Sequence, residues 1–159
     1  MPVRLVYEAA LPAGGSLASA DSGAVTSLVS ISSSAAQGNG ASTLAVDSGG
    51  VSADGRFVVF ESDATNLAPN DTNSQRDVFV RDRQLGTTSV ISLNTSGLPG
   101  NGPSTEPTIS DDGRLIAFVS DASDLVSGDT NGTGDVFVRD RVAGTTTLVS
   151  VSISGASGN

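Results

Sequence analysis

The sequence predicts an all-β fold assembled from repeated four-stranded antiparallel units. Three observations carry this reading. First, Val51–Asn101 and Ile109–Asn159 align without a gap and share 27 identities in 51 positions. Self-similarity of that length marks supersecondary units that stack or are arranged radially. Second, the apolar positions are mostly Val, Ile, Leu and Ala, set among 19 Gly and many Ser and Thr. That usage suits short strands joined by tight turns. Third, long runs of Leu, Glu, Lys and Ala are missing, and the chain has no Lys at all, so a helical bundle is disfavoured.

The elements follow in order along the chain. Near the N-terminus, "VRLVYE" (Val3–Glu8) reads as a third strand and Thr26–Ser32 as a fourth, which makes residues 1–40 a partial unit with a linker. Within it, "TSLVSISSSAAQGNG" (Thr26–Gly40) parallels "TSVISLNTSGLPGNG" (Thr88–Gly102). Four extra residues follow the first of these segments, so Leu44–Asp47 is expected to bulge from a loop. Residues 41–101 then form the first full unit and residues 102–159 the second.

In the second unit, "EPTIS" (Glu106–Ser110) is a short extended strand, as Pro107 demands of its neighbour. "DDG" (Asp111–Gly113) is a hairpin turn, with Gly supplying the positive φ. "RLIAFVS" (Arg114–Ser120) follows as a strand, then a long polar loop, then "DVFVRD" (Asp135–Asp140). "VAGT" (Val142–Thr145) turns the chain into "TTLVSVS" (Thr146–Ser152). The first unit reads likewise, with "SADG" and "QLGT" as its turns. The unbroken apolar run Leu115–Val119 is expected to be covered on both faces, since a half-buried strand would alternate. A repeating four-stranded antiparallel meander is the building block of a β-propeller. The chain therefore reads as about two and a half propeller blades.

The pattern S-x-D-G-R, an apolar run, F-x-S, then D-V-F-V-R-D, then G-T-T and a further strand resembles the TolB-like family of β-propeller repeats. It occurs as "SADGRFVVFES" with "DVFVRDRQLGTTSVIS" and as "SDDGRLIAFVS" with "DVFVRDRVAGTTTLVS". The resemblance covers Thr26 to Asn159. It implies a propeller fold, an extracytoplasmic setting, and a role in protein binding or as an accessory domain. It implies no single activity. Two blades and a half do not close a ring, because propellers take four to eight. The chain is thus expected to be part of a longer propeller or to oligomerise through uncovered apolar blade faces.

Composition narrows the chemistry. There are 17 Asp and Glu against eight basic residues, all Arg, for a net charge of -9. That balance keeps the surface soluble and disfavours a phosphate backbone as partner. With no Cys and no His, thiolate catalysis, Ser-His-Asp catalysis and the common zinc sites are excluded. No apolar run approaches the ~20 residues of a membrane span. The N-terminal stretch reads as mature chain and not as a signal peptide, because Glu8 and Pro12–Gly15 interrupt its apolar region.

The long polar loop is the one place with a recognisable ligand pattern. Asp129, Asn131, Thr133 and Asp135 stand at alternate positions, and Asp71, Asn73, Gln75 and Asp77 are their counterparts. Oxygen ligands at that spacing are how a tight loop wraps calcium, and the loop resembles the calcium loops of EF-hands and of some other propellers. Gly134 takes the sixth position that such loops reserve for Gly, whereas Arg76 stands there in the first copy and brings in a positive charge. Asp140, at the twelfth position, lies roughly 16 Å along a strand from Asp135 and is too far to close the same site. The second copy is thus the better candidate, with Asp121 or Asp124 as an extra ligand. The alternative is an Asx-turn loop in which Asp and Asn bond their own backbone.

Arg81 and Arg139, which end the "VFVR" runs, are expected to pair with acids of another strand, such as those of the "DDG" turn. A carboxylate-based hydrolase is disfavoured. Its acids would form one pair in a cleft, and here they repeat in turns. The "SADGRF" and "SDDGRL" stretches depart from the sialidase Asp-box, and no G-x-S-x-G elbow occurs. The sequence reads first as a non-catalytic module binding a protein or glycan partner, with calcium as a stabilising ion. Its alternative is a structural subunit that completes a propeller or fibre by self-association.

Overall fold

The computed structural model describes residues 4–7, 25–44, 49–153 and 155. It is all-β, with no helix among the described residues. β1 (Arg4–Tyr7) and β2 (Val25–Leu28) form a two-stranded antiparallel sheet with Arg4 opposite Leu28. β3 (Ser42–Leu44), β4 (Phe57–Ser62), β5 (Asp77–Asp82) and β6 (Thr87–Val90) form a four-stranded antiparallel sheet in chain order. β7 (Ser104–Ile109), β8 (Leu115–Ser120), β9 (Asp135–Asp140) and β10 (Thr145–Leu148) form a second of the same kind.

The turns explain why both copies fold alike. Ser52 Oγ donates to Asp54 Oδ1 at 2.6 Å, and that oxygen also accepts the Arg56 N–H at 2.9 Å. Ser110, Asp112 and Arg114 repeat the pattern at 2.5 and 2.9 Å. Short polar side chains thus hold the turn, and Gly55 and Gly113 take the positive φ it requires, 69° and 72°. At the other end, Asp82 Oδ1 accepts the N–H groups of Gln84 and Leu85, and Asp140 Oδ1 those of Val142 and Ala143.

Strand edges differ from expectation in places. β7 begins at Ser104, and its register shifts between Thr105 and Thr108, where Glu106 has a φ of 53°. Pro107 has no N–H to give to the ladder, so the chain bulges there. β10 ends at Leu148 and not at Ser152. Leu44 closes β3 opposite Phe60, and the rest of the expected Leu44–Asp47 bulge lies outside the described residues. The Glu8 and Pro12–Gly15 stretch also lies outside them.

Two cores result. The first lies between the four-stranded sheets. Phe57, Val59, Val78, Val80 and Ile91 meet Ile109, Ile116, Phe118 and Phe137, and Ala122 and Leu125 fill in from the loop after β8. The second lies on the other face of the β3–β6 sheet, around Phe60, Phe79, Val90, Ala64 and Leu67. Residues 29–40 run along this side: Thr88 Oγ1 donates to the Ile31 carbonyl at 2.5 Å, and Gly38 backs onto Ala64 and Leu67. Each four-stranded sheet carries one stacked cross-strand Phe pair, Phe60–Phe79 at 5.7 Å and Phe118–Phe137 at 5.9 Å.

Backbone bonds tie the two sheets as well. The Ile109 N–H donates to Gly49 O at 2.8 Å, Ala53 N–H to Asp111 O at 2.9 Å, and Ser104 N–H to Arg76 O at 2.8 Å. Gly113 packs so close to the Phe57 ring that a Cβ there would sit 2.3 Å from it. The Arg141 guanidinium covers the same ring at 4.0 Å and donates to the Gly113 carbonyl at 2.6 Å. Burial on both faces holds for β4 and β5, whereas β8 alternates. The expectation that Leu115–Val119 is covered on both sides is therefore corrected: one face packs on the first sheet, and nothing described lies on the other.

Candidate functional site

The two polar loops, residues 71–77 and 129–135, lead into the third strands of the two sheets, β5 and β9. In each, the two Asp side chains turn inward. Asp71 is 6% exposed and Asp77 0%; Asp129 is 8% and Asp135 2%. Ser92 Oγ donates to Asp77 Oδ1 at 2.5 Å, and Ser150 Oγ makes the equivalent bond to Asp135 Oδ1. Asn131 Nδ2 donates to Asp135 Oδ2 at 2.8 Å. Asp71 Oδ1, Asp77 Oδ2 and Asp129 Oδ1 are buried and have no hydrogen-bond partner.

Electrostatics follow from this burial. The Asp77 carboxyl is pushed up to about 6, by desolvation first, with the nearby Asp71 charge adding to it. Burial likewise raises Asp71. Asp129 is raised by burial and then by the facing Asp135 carboxylate. Each loop therefore gathers like charge in a place poor in solvent.

The other expected ligands are placed differently. Asn73 and Asn131 do form Asx turns: their Oδ1 atoms accept the N–H groups of Gln75 and Thr133 at 3.0 and 3.1 Å. Thr133 is exposed. Asp124 is spent on the 94–101 loop, accepting from Asn94 Nδ2 at 2.9 Å and the Asn101 N–H at 3.0 Å. Asp121 Oδ1 lies over Gly134, 2.7 Å from where a Cβ would be. Arg76 does not bring its charge into the first loop. Its guanidinium is held outward by Asp63 at 2.7 and 2.8 Å and by Glu61 at 3.2 Å. Among the described residues, no group of three or more acidic, His or Cys side chains converges.

The arginines pair otherwise than expected. Arg56 and Arg114, which follow the turn glycines, hold Asp82 and Asp140 at 2.7 and 2.6 Å. Arg114 and the turn N–H groups hold the Asp140 carboxyl down at about 2. Arg81 and Arg139 donate instead to Thr88 Oγ1 and Thr146 Oγ1, both at 3.0 Å. Adjacent strand residues face opposite ways, so Asp82 meets the turn arginine while Arg81 meets its cross-strand Thr.

A third feature is the outer face of the β7–β10 sheet. Leu115, Val136 and Val149 are 42%, 38% and 45% exposed. Their counterparts 58 residues earlier, Phe57, Val78 and Ile91, are 9%, 0% and 4% exposed, because the second sheet covers them. The repeat alignment pairs Leu115 with Phe57 and Val136 with Val78, so the same face is buried in the first unit and exposed among the described residues of the second. Surface hollows elsewhere are wide open to solvent. One of about 600 Å³, lined by Asn94, Ser96, Leu125, Arg139 and Thr146, runs between the two units.

No family model matches the chain, and no curated protein matches it.

Proposed function

We infer that the chain is a non-catalytic, propeller-type repeat module that works by protein contact, and that the outer face of the β7–β10 sheet takes a further four-stranded unit of the same kind. The observation that carries this is the pairing of Leu115, Val136 and Val149 with the buried Phe57, Val78 and Ile91. One side of that pair already shows how such a face is covered: by the next sheet, stacked on it with Phe118 and Phe137 in the seam. An apolar sheet face of this kind marks an interaction surface. A second copy can supply the missing unit head to tail, since the interface between successive units is heterologous.

The TolB-like resemblance of the two repeats supports the propeller arrangement and the extracytoplasmic setting that goes with it. All five phenylalanines are buried, so none is presented for ring stacking against a glycan or other flat ligand. This favours a protein partner. The repeated acids serve turns and loops in both copies, which gives no support to a single carboxylate pair in a cleft.

The chain has no Cys, which permits a site-specific test. A Val136→Cys variant carrying an environment-sensitive dye reports the face; Val142→Cys, in an exposed turn, is the control. The dye at 136 shifts to the blue as protein concentration rises, and the dye at 142 does not. Unchanged emission at both sites up to the highest soluble concentration would refute the reading.

A further inference from the structure

We propose that the loop 71–77 is a binding site for a hard divalent cation of the calcium type, held between the carboxylates of Asp71 and Asp77, and that the loop 129–135 is a weaker copy of it. The argument starts from unbalanced charge. Asp71 and Asp77 are both more than nine-tenths buried, and each leaves one carboxylate oxygen without a donor. None of the ion pairs found reaches them: Arg76, the nearest arginine in sequence, is turned out to Asp63 and Glu61. A buried carboxylate without a counter-charge is costly, and two facing one another more so. A bound cation removes both costs at once.

The donor set selects the kind of ion. All the available atoms are oxygens, which excludes a preference for soft metals. Only two carboxylates contribute per loop, so the remaining ligands are neutral: backbone carbonyls and water. Calcium accepts six to eight oxygens in flexible geometry, whereas magnesium demands a near-ideal octahedron. A short irregular loop suits the former. A site with two carboxylates falls in the weak range, with a Kd of roughly 0.1–1 mM, like extracellular calcium modules.

The two copies are ranked by their free oxygens. The first loop has two, Asp71 Oδ1 and Asp77 Oδ2. The second has one, Asp129 Oδ1, because Asn131 and Ser150 already occupy both oxygens of Asp135. The structure thus reverses the order that Gly134 and Arg76 suggest in the sequence.

The test is calcium titration of the full chain after chelator treatment, followed by calorimetry and by thermal melting at constant ionic strength. Asp71→Asn with Asp77→Asn is the variant, since Asn keeps the shape and an acceptor for Ser92. Wild-type protein should bind calcium at least tenfold more tightly than magnesium, and its Tm should rise by several degrees at ~10 mM calcium. The double variant should lose the first-loop binding heat and most of the Tm shift. Absence of any binding heat in the wild type would overturn the proposal. So would a Tm shift reproduced by sodium chloride of equal ionic strength, which would be screening of the net charge. Binding that survives in the double variant but is lost in Asp129→Asn would overturn the assignment to the first loop.

Discussion

Asp140 and Asp82 each do two jobs with one carboxylate: they cap a turn and hold the arginine that follows the previous turn's glycine. The cap and the ion pair favour the charged form, so the folded carboxyl of Asp140 titrates at about 2, below its ordinary value of 3.8. A depressed folded value contributes stability that is present above pH ~4 and is lost as pH falls through that value towards 2. Because Arg114 is half exposed, the contribution is partly screened by salt. Asp140→Asn should flatten the acid limb of the stability–pH curve between about pH 4 and 2, as read by urea unfolding. Gly113 is the other residue on which much depends. A Cβ there meets the Phe57 ring at 2.3 Å on a backbone of φ 72°. Gly113→Ala should cost about 2–3 kcal/mol in chemical denaturation, whereas Gly97→Ala, with positive φ but open space, should cost only about 1 kcal/mol.

At the scale of the element, β5 and β9 have the same sequence, "DVFVRD", and different surroundings. Val78 is fully buried between the sheets, and Val136 is on the open face. Val78→Ala should therefore destabilise by roughly 2 kcal/mol and Val136→Ala by under ~0.5 kcal/mol in dilute protein. Identical losses would show that the two faces are equally covered. The same contrast explains what the sequence made legible. Each four-stranded meander could be read from its turn residues and its apolar runs, because Ser-x-Asp-Gly and Gly-Thr-Thr act locally. The bulge at Thr105–Thr108 was hidden because Pro107 announces a break without saying where the ladder resumes. The arginine pairing was missed for another reason. Which acid an arginine meets depends on cross-strand register, and register is set by turns and burial together. In the polar loops, the Asp and Asn spacing was visible. That Arg76 turns out to Asp63 was not, since these partners are 13 residues apart in sequence.

At the scale of the molecule, the described residues form two four-stranded sheets packed on each other. Residues 29–40 lie along one face of the β3–β6 sheet, the β7–β10 sheet covers the other, and among the described residues none covers the outer face of β7–β10. Repeat arrays of this kind gain stability from each interface between neighbouring units, so adding a unit stabilises the one beneath it. Association of copies carrying -9 each is opposed by mutual repulsion, which salt screens. Raising sodium chloride from about 20 to 300 mM should accordingly strengthen self-association, the opposite of what an interface held by ion pairs would show.

The most direct test of the open face is the mass in solution. Sedimentation equilibrium of the wild-type chain and of Val136→Asp, from micromolar to submillimolar concentration, separates the possibilities. The account predicts that the wild-type average mass rises with concentration above the 15.8 kDa of one chain, while the variant stays at that value with an unchanged β-sheet circular dichroism signal. A wild-type protein that remains at 15.8 kDa across the whole range, with the same cooperative unfolding as the variant, would contradict it.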